Sequence, residues 1–304
     1  MKQNKTMGCI AITGVAIIYG VSYLSRDIIV KEGGLPPTVV TLLQLAIMAG
    51  LFLIYNLITK KSLKLTKKDV PIIVLSGVFG TFLFHTLTNM SMATKLDASI
   101  PSLLFGLAAV FSLVINAVIF KKKTNALSWI AVVVGLIGLA VVMELSPANF
   151  QNIDVVGYLL CIGSVLAWVI YCFMSDVVPG TYEKTVILFW QAFVGVLCCL
   201  PFALTSTIDT VKVSNNLSTV ILHLIILGLF NATIAYFLNI YAIKQIGVNM
   251  ANIFLNFMPI ATMVALFVLK GVVPSISKIV GCAIIIASVL LLGVAEKKLA
   301  AAEK

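Results

Sequence analysis

The hydrophobic pattern of the chain is a series of long apolar runs separated by short polar segments. Ten runs carry no formal charge and approach or exceed the roughly twenty residues that a helix needs to cross a bilayer. They cover residues 7–25, 35–59, 70–94, 98–120, 124–143, 155–175, 185–208, 213–243, 245–269 and 279–295. The pattern therefore predicts an all-α integral membrane protein with ten transmembrane helices.

The composition agrees with a chain that lies in a lipid bilayer. Hydrophobic residues make up 61% of the chain and charged residues 11%, with a mean hydropathy of +1.13, whereas soluble domains are about one-quarter charged. The ten spans leave no room for a soluble domain. Because further spans follow the first run, we do not expect it to be a cleaved signal peptide.

The net charge of +10 is more informative about membrane topology than about the kind of ligand. Lysines separated by whole apolar helices cannot form a continuous phosphate-binding groove, so no nucleic-acid partner is expected. Basic residues concentrate in alternate loops, chiefly 60–68 and 121–123. The positive-inside rule places these loops and both termini in the cytoplasm, with loop 144–154 outside. We expect a multi-pass protein of the cell membrane, plasma or inner.

The residue patterns of a membrane-embedded enzyme are missing from the sequence. There is no H-E-x-x-H or G-x-S-x-G motif, His85 and His223 are isolated, and the six cysteines lie in apolar runs without a C-x-x-C pair. The acids nearest the hydrocarbon, Asp27, Glu144 and Asp176, fall at helix ends. We therefore expect no enzyme activity, metal or cofactor, and cysteines that serve packing.

A weak internal repeat relates the two halves at an offset of 149 residues. It pairs Ala93 with Ala242, Lys95 with Lys244, Phe105 with Phe254, Lys121 with Lys270, and Tyr19 with Trp168. Each half carries five spans, and because five is odd, the second half enters the membrane in the opposite orientation. We expect two inverted five-helix repeats, residues 1–150 and 151–304, which is a layout that many secondary transporters use.

Several motifs resemble those of a known family. They are I-Y-G-V-S-Y at 18–23, L-A-W-V-I-Y at 166–171, the hairpins A-T-K-L-D-A at 93–98 and A-I-K-Q-I-G at 242–247, and N-F-M-P-I at 256–260. Over nearly its full length the chain resembles the EamA-like branch of the drug/metabolite transporter superfamily. The resemblance implies export of small metabolites from the cytoplasm through a cavity formed by helices one to four and six to nine, with helices five and ten peripheral.

The chain departs from that family at charged positions. Where the family often has an arginine in the second helix, this chain has Gln44. Where the family has a Gly-Glu pair after the fourth and ninth helices, this chain has Lys121-Lys122 and Lys270-Gly271. A role that depends on the family's charges is therefore not carried over to these positions.

Two aromatic stripes occupy equivalent places in the two halves. Spacings of i, i+3, i+4 and i+7 put each set on one helix face. The sets are Tyr19, Ser22, Tyr23 and Arg26 in the first span, and Trp168, Tyr171, Cys172 and Ser175 in the sixth. The rings are interpreted either as cavity walls or as members of the interfacial aromatic belt.

Amides form a second group of candidates. Asn249, Asn252 and Asn256 share a face of the ninth span and serve either substrate binding or interhelical hydrogen bonding. Ser102, Ser112 and Asn116 on the fourth span are interpreted as small residues at a helix contact. The third, eighth, second and seventh spans add further polar side chains. The candidate substrate-binding residues are Tyr19, Ser22, Tyr23, Gln44, His85, Asn89, Trp168, Tyr171, Gln191, Tyr236, Asn252 and Asn256.

These observations favour a secondary transporter that exports small metabolites by alternating access. Because no carboxylate is central in a span, the expected cavity is neutral and suits zwitterionic or uncharged substrates, amino acids first. Proton coupling is either absent or uses a helix-end acid or His85. The alternatives are a non-transporting scaffold or receptor and an exporter of cationic drugs or nucleosides. Whether the chain forms a homodimer is left open.

Overall fold

The computed structural model describes residues 4–121, 124–142 and 154–302. Lys122, Lys123 and Glu144, which the charge pattern singles out, lie outside the described residues. The described residues form ten long helices and a short one, Thr210–Asn215, but no strand. The long helices are α1 (Lys5–Glu32), α2 (Pro37–Ile58), α3 (Val70–Met92), α4 (Ser99–Val118), α5 (Ala126–Val142), α6 (Val155–Val177), α7 (Lys184–Leu204), α8 (Leu217–Ile246), α9 (Val248–Lys270) and α10 (Ile276–Ala302).

Within the described part of the chain, nine of these helices are long and apolar enough to cross a membrane. The exception is α5, which is apolar but only 17 residues long where it is described. The sequence predicts ten spans, so the described residues support one fewer. The chain is an all-helical, multi-pass membrane protein.

Local sequence signals fix where the helices begin and end. The side chain of Asn4 accepts a hydrogen bond from the N–H of Met7 at the start of α1, and Asp154 accepts one from Gly157 at the start of α6. Both are N-caps that satisfy a free donor of the first turn. At the C-terminal end of α9, Gly271 has a φ of 66°, a left-handed conformation that costs glycine little.

Pairwise contacts between the long helices organise the bundle. The most extensive contact joins α5 to α10, and α2 packs against α7. Helix α1 packs against α8 and α9, and α6 packs against α3. Helices α5 and α10 otherwise touch chiefly α4 and α9, so they lie to one side of the remaining eight, as the family resemblance implies.

Four helices are interrupted near their middles. Helix α3 is π-helical at Val78–Leu83 and α8 at Ile226–Ile234, while α4 breaks at residues 105–106 and α9 tightens to a 3₁₀ turn at Leu255–Phe257. Each pair of interruptions is about 149 residues apart, the offset of the sequence repeat. π-Helical turns frequently mark functional sites, and broken helices line the binding sites of many transporters.

The two lysine-containing hairpins hold the starts of two helices at opposite ends of the bundle. The backbone N–H of Asn4 donates to Oε1 of Gln245 at 2.6 Å, and the N–H of Lys95 donates to Oδ2 of Asp154 at 2.8 Å. The first contact joins α1 to the α8–α9 hairpin, and the second joins α6 to the α3–α4 hairpin. We name the two ends of the bundle the Asn4 end and the Asp154 end.

A glycine at each of these contacts allows the helix and the hairpin to approach each other closely. A Cβ on Gly8 would lie 2.7 Å from Cβ of Gln245, and one on Gly157 would lie 2.8 Å from the side chain of Leu96. Real Cβ atoms essentially never approach so closely, so a larger residue at either position would force its neighbours to shift. Gly8 and Gly157 are 149 residues apart, and so are Leu96 and Gln245, which means that the two contacts correspond under the sequence repeat.

Candidate functional site

A cluster of aromatic rings lies in the interior of the bundle. The rings of Tyr19 and Trp168 are 5.4 Å apart, edge to face, and Trp168 lies 5.6 Å from Tyr236 and 4.9 Å from Phe84. The cluster comprises Tyr19, Phe84, Phe105, Trp168, Tyr171 and Tyr236. Tyr19 is 1% exposed and Trp168 0%, which is not the position of an interfacial belt. The repeat-related rings therefore meet inside the protein.

The π-helical segment of α3 shapes one wall of this cluster. The hydroxyl of Tyr236 donates to the carbonyl oxygen of Gly80, and the ring of Tyr171 lies where a Cβ on Gly80 would stand. Because Gly80 has no side chain, both tyrosine rings reach the backbone of α3. The local helix geometry and the glycine together bring α3, α6 and α8 to one point.

Arg26 forms the centre of a polar cluster next to the rings. Its guanidinium donates to Oδ1 of Asn89 at 2.5 Å and to Oδ1 of Asn231 at 2.9 Å, and it contacts Nδ1 of His85 at 2.9 Å. Arg26 is 1% exposed and its three partners at most 2%. Asn231 in turn donates to Oγ of Ser22 at 2.7 Å. This Arg26 cluster joins α1, α3 and α8.

His85 connects the Arg26 cluster with the aromatic cluster. Arginine can only donate hydrogen bonds, so Nδ1 of His85 accepts from Arg26 and the neutral ring carries its proton on Nε2. The ring of His85 lies 4.9 Å from Phe84 and 5.4 Å from Tyr236. Its buried Nε2 has no hydrogen-bond partner among the described residues, and neither has the hydroxyl of Tyr19.

Asparagines of α9 pair with the polar face of α4. Nδ2 of Asn252 donates to Oγ of Ser112 at 2.7 Å, and its Oδ1 accepts from Nε1 of Trp168 at 3.3 Å. One turn further towards the Asn4 end, Asn116 donates to Asn249 at 2.7 Å. The polar faces of α4 and α9 therefore contact each other, and Asn252 links them to the aromatic cluster.

A cavity of about 490 Å³ opens beyond these asparagines at the Asn4 end. Helices α4, α6, α8 and α9 form its walls. Its lining includes Asn116, Phe120, Phe173, Asp176 and Asn249. The cavity thus reaches Asn249, which lies one helical turn from Asn252.

Ion pairs join the helices at the Asp154 end. Lys270 of α9 lies 3.4 Å from Oδ2 of Asp27 and 3.1 Å from Oε1 of Glu32, while Lys31 lies 2.7 Å from Oδ1 of Asp27. Lys31 also donates to the carbonyl oxygen of Leu96 at 2.8 Å. This ion-pair layer links α1, α9 and the α3–α4 hairpin.

A neighbouring ion pair extends the layer to α10. Asp97 lies 3.1 Å from Nζ of Lys278 and accepts hydrogen bonds from the backbone and hydroxyl of Ser99. Burial alone would raise the pKa of Asp97, but these hydrogen bonds and Lys278 hold that pKa below its ordinary value. Asp97 is therefore ionised at neutral pH, and its ion pair persists there.

Some predicted site residues lie outside these clusters. Nε2 of Gln191 donates to Ser76 at 2.7 Å in the contact between α7 and α3. Asn256 bonds to backbone carbonyls of its own helix and lines a separate apolar cavity of about 330 Å³ between α9 and α10. Tyr23 is buried, without a ring contact in the described residues. Both amide atoms of the buried Gln44 lack a described partner.

The candidate set from the sequence omits Arg26, Phe84 and Phe105. Arg26 is the only arginine in the chain and shares the helix face of Tyr19. An ionisable residue within a membrane span is a functional candidate by default, so the sequence does contain a signal for this residue. The uncharged run ends at Ser25, which places Arg26 at a helix end. Helix α1 continues to Glu32, however, and the arginine is buried. The buried site is therefore not composed of neutral groups alone, in contrast to the neutral cavity that the sequence predicts.

Comparisons with known proteins agree with this architecture. Residues 6–144 and 155–294 each match the EamA-like transporter family. A solved crystal structure that is 17% identical shares the fold with a TM-score of 0.67, covering 97% of this chain and 99% of the other.

Named relatives cover most of the chain. An uncharacterized transporter of Archaeoglobus fulgidus is 23% identical over 82% of both chains. The uncharacterized transporter YdfC of Bacillus subtilis is 24% identical over 82% of this chain and 79% of its own. A probable terminal-alkyne amino-acid exporter of Streptantibioticus cattleyicolor is 24% identical over 74% and 73%.

The two family matches contain all six rings of the buried cluster and the arginine beside it, and they account for nearly all of the described helices. This chain belongs to the EamA-like transporter family.

Proposed function

We propose that this transporter exports small metabolites, amino acids or similar zwitterionic or neutral compounds first, from the cytoplasm by alternating access. The observation that carries the proposal is the arrangement along the bundle. A buried aromatic and polar site lies between a cavity at one end and an ion-pair layer at the other. Such a site can be reached from one side at a time.

We further propose that residues 1–150 and 151–304 are inverted repeats. The π-helical segments of α3 and α8, the breaks of α4 and α9, and the contacts of Gly8 and Gly157 all recur at an offset close to that of the sequence repeat. Each hairpin holds the first helix of the other half. Transporters built this way rock one repeat against the other about a central site.

The orientation follows from the basic loops. Lys61 at the Asn4 end lies 2.8 Å from Glu183 and belongs to the loop that carries the run of lysines at 60–68. The positive-inside rule therefore places the Asn4 end in the cytoplasm. The 490 Å³ cavity then faces the cytoplasm, and the ion-pair layer closes the outer side.

Counterflow in proteoliposomes tests the function. The panel includes labelled amino acids, nucleosides and organic cations, each with and without a pH gradient. We expect amino acids to exchange, because the site combines apolar rings with a few polar groups and one relative is named an amino-acid exporter. Exchange of nucleosides or cations alone would favour the alternative substrates. Exchange of no compound would favour a scaffold or receptor.

The outer ion-pair layer gives a prediction about conformation. Replacing Asp27 by asparagine removes the charge that Lys31 and Lys270 share. Partly exposed pairs contribute about 0.2–1 kcal/mol each, so the outward-open population should rise severalfold. The measurement is labelling of Leu266→Cys in a cysteine-free background by an impermeant maleimide added outside, since Leu266 is buried one turn below Lys270.

The matched control is Asp209→Asn. Asp209 pairs with Lys212 at 3.8 Å on one surface segment, and none of the ion pairs between described residues joins it to a long helix, so loss of its charge should leave labelling unchanged. Equal labelling rates in Asp27→Asn and Asp209→Asn would contradict a closing role for the layer. Labelling from the inner side alone would reverse the proposed orientation.

A further inference from the structure

The charge of Arg26 is buried without an acidic partner among the described residues. None of the ion pairs between described residues includes Arg26. Its neighbour Asp27 pairs instead with Lys31 and Lys270. The hydrogen-bond partners of the guanidinium, Asn89, His85 and Asn231, are all neutral. The Arg26 cluster therefore carries a full positive charge inside the bundle.

Neutral acceptors satisfy the geometry of a guanidinium but do not balance its charge. Burying an unpaired charge is costly, and an arginine that is retained in such a place needs a compensating anion or a function. The three bonds use both N–H donors of Nη2 and one of Nη1, so a carboxylate that binds through two parallel hydrogen bonds replaces at least one neutral partner. Arginine is also the side chain best matched to a planar carboxylate, which it can bind through two parallel hydrogen bonds.

The surroundings of Arg26 indicate what else such an anion would carry. His85 touches the guanidinium on one side and the rings of Phe84 and Tyr236 on the other. Its Nε2–H and the hydroxyl of Tyr19 are buried without a described partner. A molecule that bridges the two clusters would meet a cation at one end and aromatic walls at the other.

We propose that Arg26 binds the carboxylate of the transported substrate, whose apolar group packs in the aromatic cluster. The substrate class is then amino acids and other small monocarboxylates with an apolar side group, and compounds without an anionic group are excluded. This assignment rests on the proposed function, and it names Arg26 as the residue that determines specificity.

Because Arg26 is the only arginine, isotope labelling with [15N]arginine reports on this one guanidinium in the detergent-solubilised full chain. The probes are L-phenylalanine, 3-phenylpropanoate and phenethylamine, which share a ring and differ in carboxylate and amine. We expect the guanidinium signals to shift with the two carboxylates and not with the amine. No shift with either carboxylate would overturn the proposal.

Transport by variants provides the second arm. Arg26→Gln should lower exchange of L-phenylalanine by about 100-fold, and Arg26→Lys, which keeps the charge but not the planar fork, should retain part of it. The control Lys212→Gln removes an exposed charge of the surface and should exchange L-phenylalanine like wild type. Undiminished exchange by Arg26→Gln would overturn the proposal.

A third variant covers the case in which Arg26→Gln does not fold. Asn231→Asp places a carboxylate at the position that now lies 2.9 Å from the guanidinium and so supplies the missing anion from within the protein. We expect this variant to melt at a temperature at least equal to that of wild type and to lose exchange of L-phenylalanine. Normal exchange by Asn231→Asp would overturn the proposal.

The outcomes separate this inference from the proposed function. If wild type exchanges phenethylamine as well as L-phenylalanine, the carboxylate site is wrong although the protein remains a transporter. If no compound is exchanged but the guanidinium signals shift with carboxylates, the Arg26 site stands and the transport function fails.

Discussion

Replacing Trp168 by alanine is expected to lower transport of every substrate, with large apolar substrates affected most. Trp168 contacts five other rings, including Tyr19 at 5.4 Å and Tyr236 at 5.6 Å. Aromatic pairs contribute about 0.5–1.5 kcal/mol beyond their buried area, and about 1.4 kcal/mol corresponds to a tenfold change in affinity. The loss should therefore exceed roughly tenfold. Counterflow at equal protein load measures it.

The same substitution should lower stability, since truncating a buried tryptophan typically costs about 3–5 kcal/mol. Trp168→Phe keeps a ring in place and separates the loss of packing from the loss of binding. The matched control is Trp190→Ala, because Trp190 is only partly buried and donates to the carbonyl oxygen of Leu63 at 2.9 Å, away from the cluster. If Trp168→Ala transports at the wild-type rate, the binding site lies elsewhere in the bundle.

Replacing Gly20 by alanine should separate α1 from α9 and abolish most transport. A Cβ at this position would lie 2.6 Å from Cβ of Ala261 and 2.7 Å from the carbonyl oxygen of Met258. Thr262 also donates to the carbonyl oxygen of Gly20 at 2.8 Å. Overpacking typically costs about 1–3 kcal/mol, and the interhelical hydrogen bond adds about 0.6 kcal/mol. Thermal melting in detergent and counterflow report the two effects.

Gly14 provides a control on the same helix. A Cβ there would lie 3.9 Å from the nearest described atom, in the side chain of Leu238, which is an ordinary van der Waals contact. Alanine is about 0.8–1.0 kcal/mol better than glycine inside a helix, so Gly14→Ala should be neutral or stabilising. Equal losses of stability in Gly14→Ala and Gly20→Ala would contradict the close-contact explanation.

Much of the helical architecture could be predicted from the sequence, because hydrophobicity alone determines which segments lie in lipid. The contact of Tyr19 with Trp168 could be anticipated as well. Both rings sit on polar-aromatic stripes 149 residues apart, and the axis expected of inverted repeats would bring such residues together. Neither inference required knowledge of the loops.

The environment of Arg26 could not be predicted in the same way. Whether a charge at the end of an apolar run reaches water depends on how far the helix continues and on which neighbours surround it. Here α1 continues to Glu32, and Asn89 and Asn231 arrive from distant parts of the chain. Periodicity gives the face of a helix, but not the residues that it meets.

The asparagines of α9 illustrate a second limit. Their shared face showed that they meet protein or water, yet the partner of Asn252, Ser112, belongs to a face of α4 that the repeat does not relate to it. Asn256 occupies the same stripe but lines the apolar cavity between α9 and α10, and it lies within the 3₁₀ turn Leu255–Phe257, where the α-helical periodicity is interrupted. Because a 3₁₀ turn has three residues per turn rather than 3.6, it changes which residues share a helix face on its two sides.

The contact between Asn4 and Gln245 spans 241 positions of the chain, and this separation has a consequence for biosynthesis. The ribosome releases α1 first and the α8–α9 hairpin, which carries Gln245, much later. The contact at the beginning of α1 therefore cannot form until α8 and this hairpin have been inserted into the bilayer. The α3–α4 hairpin waits only until α6 begins, 59 positions after Lys95. During translation the contact at the Asp154 end can therefore form well before the contact at the Asn4 end.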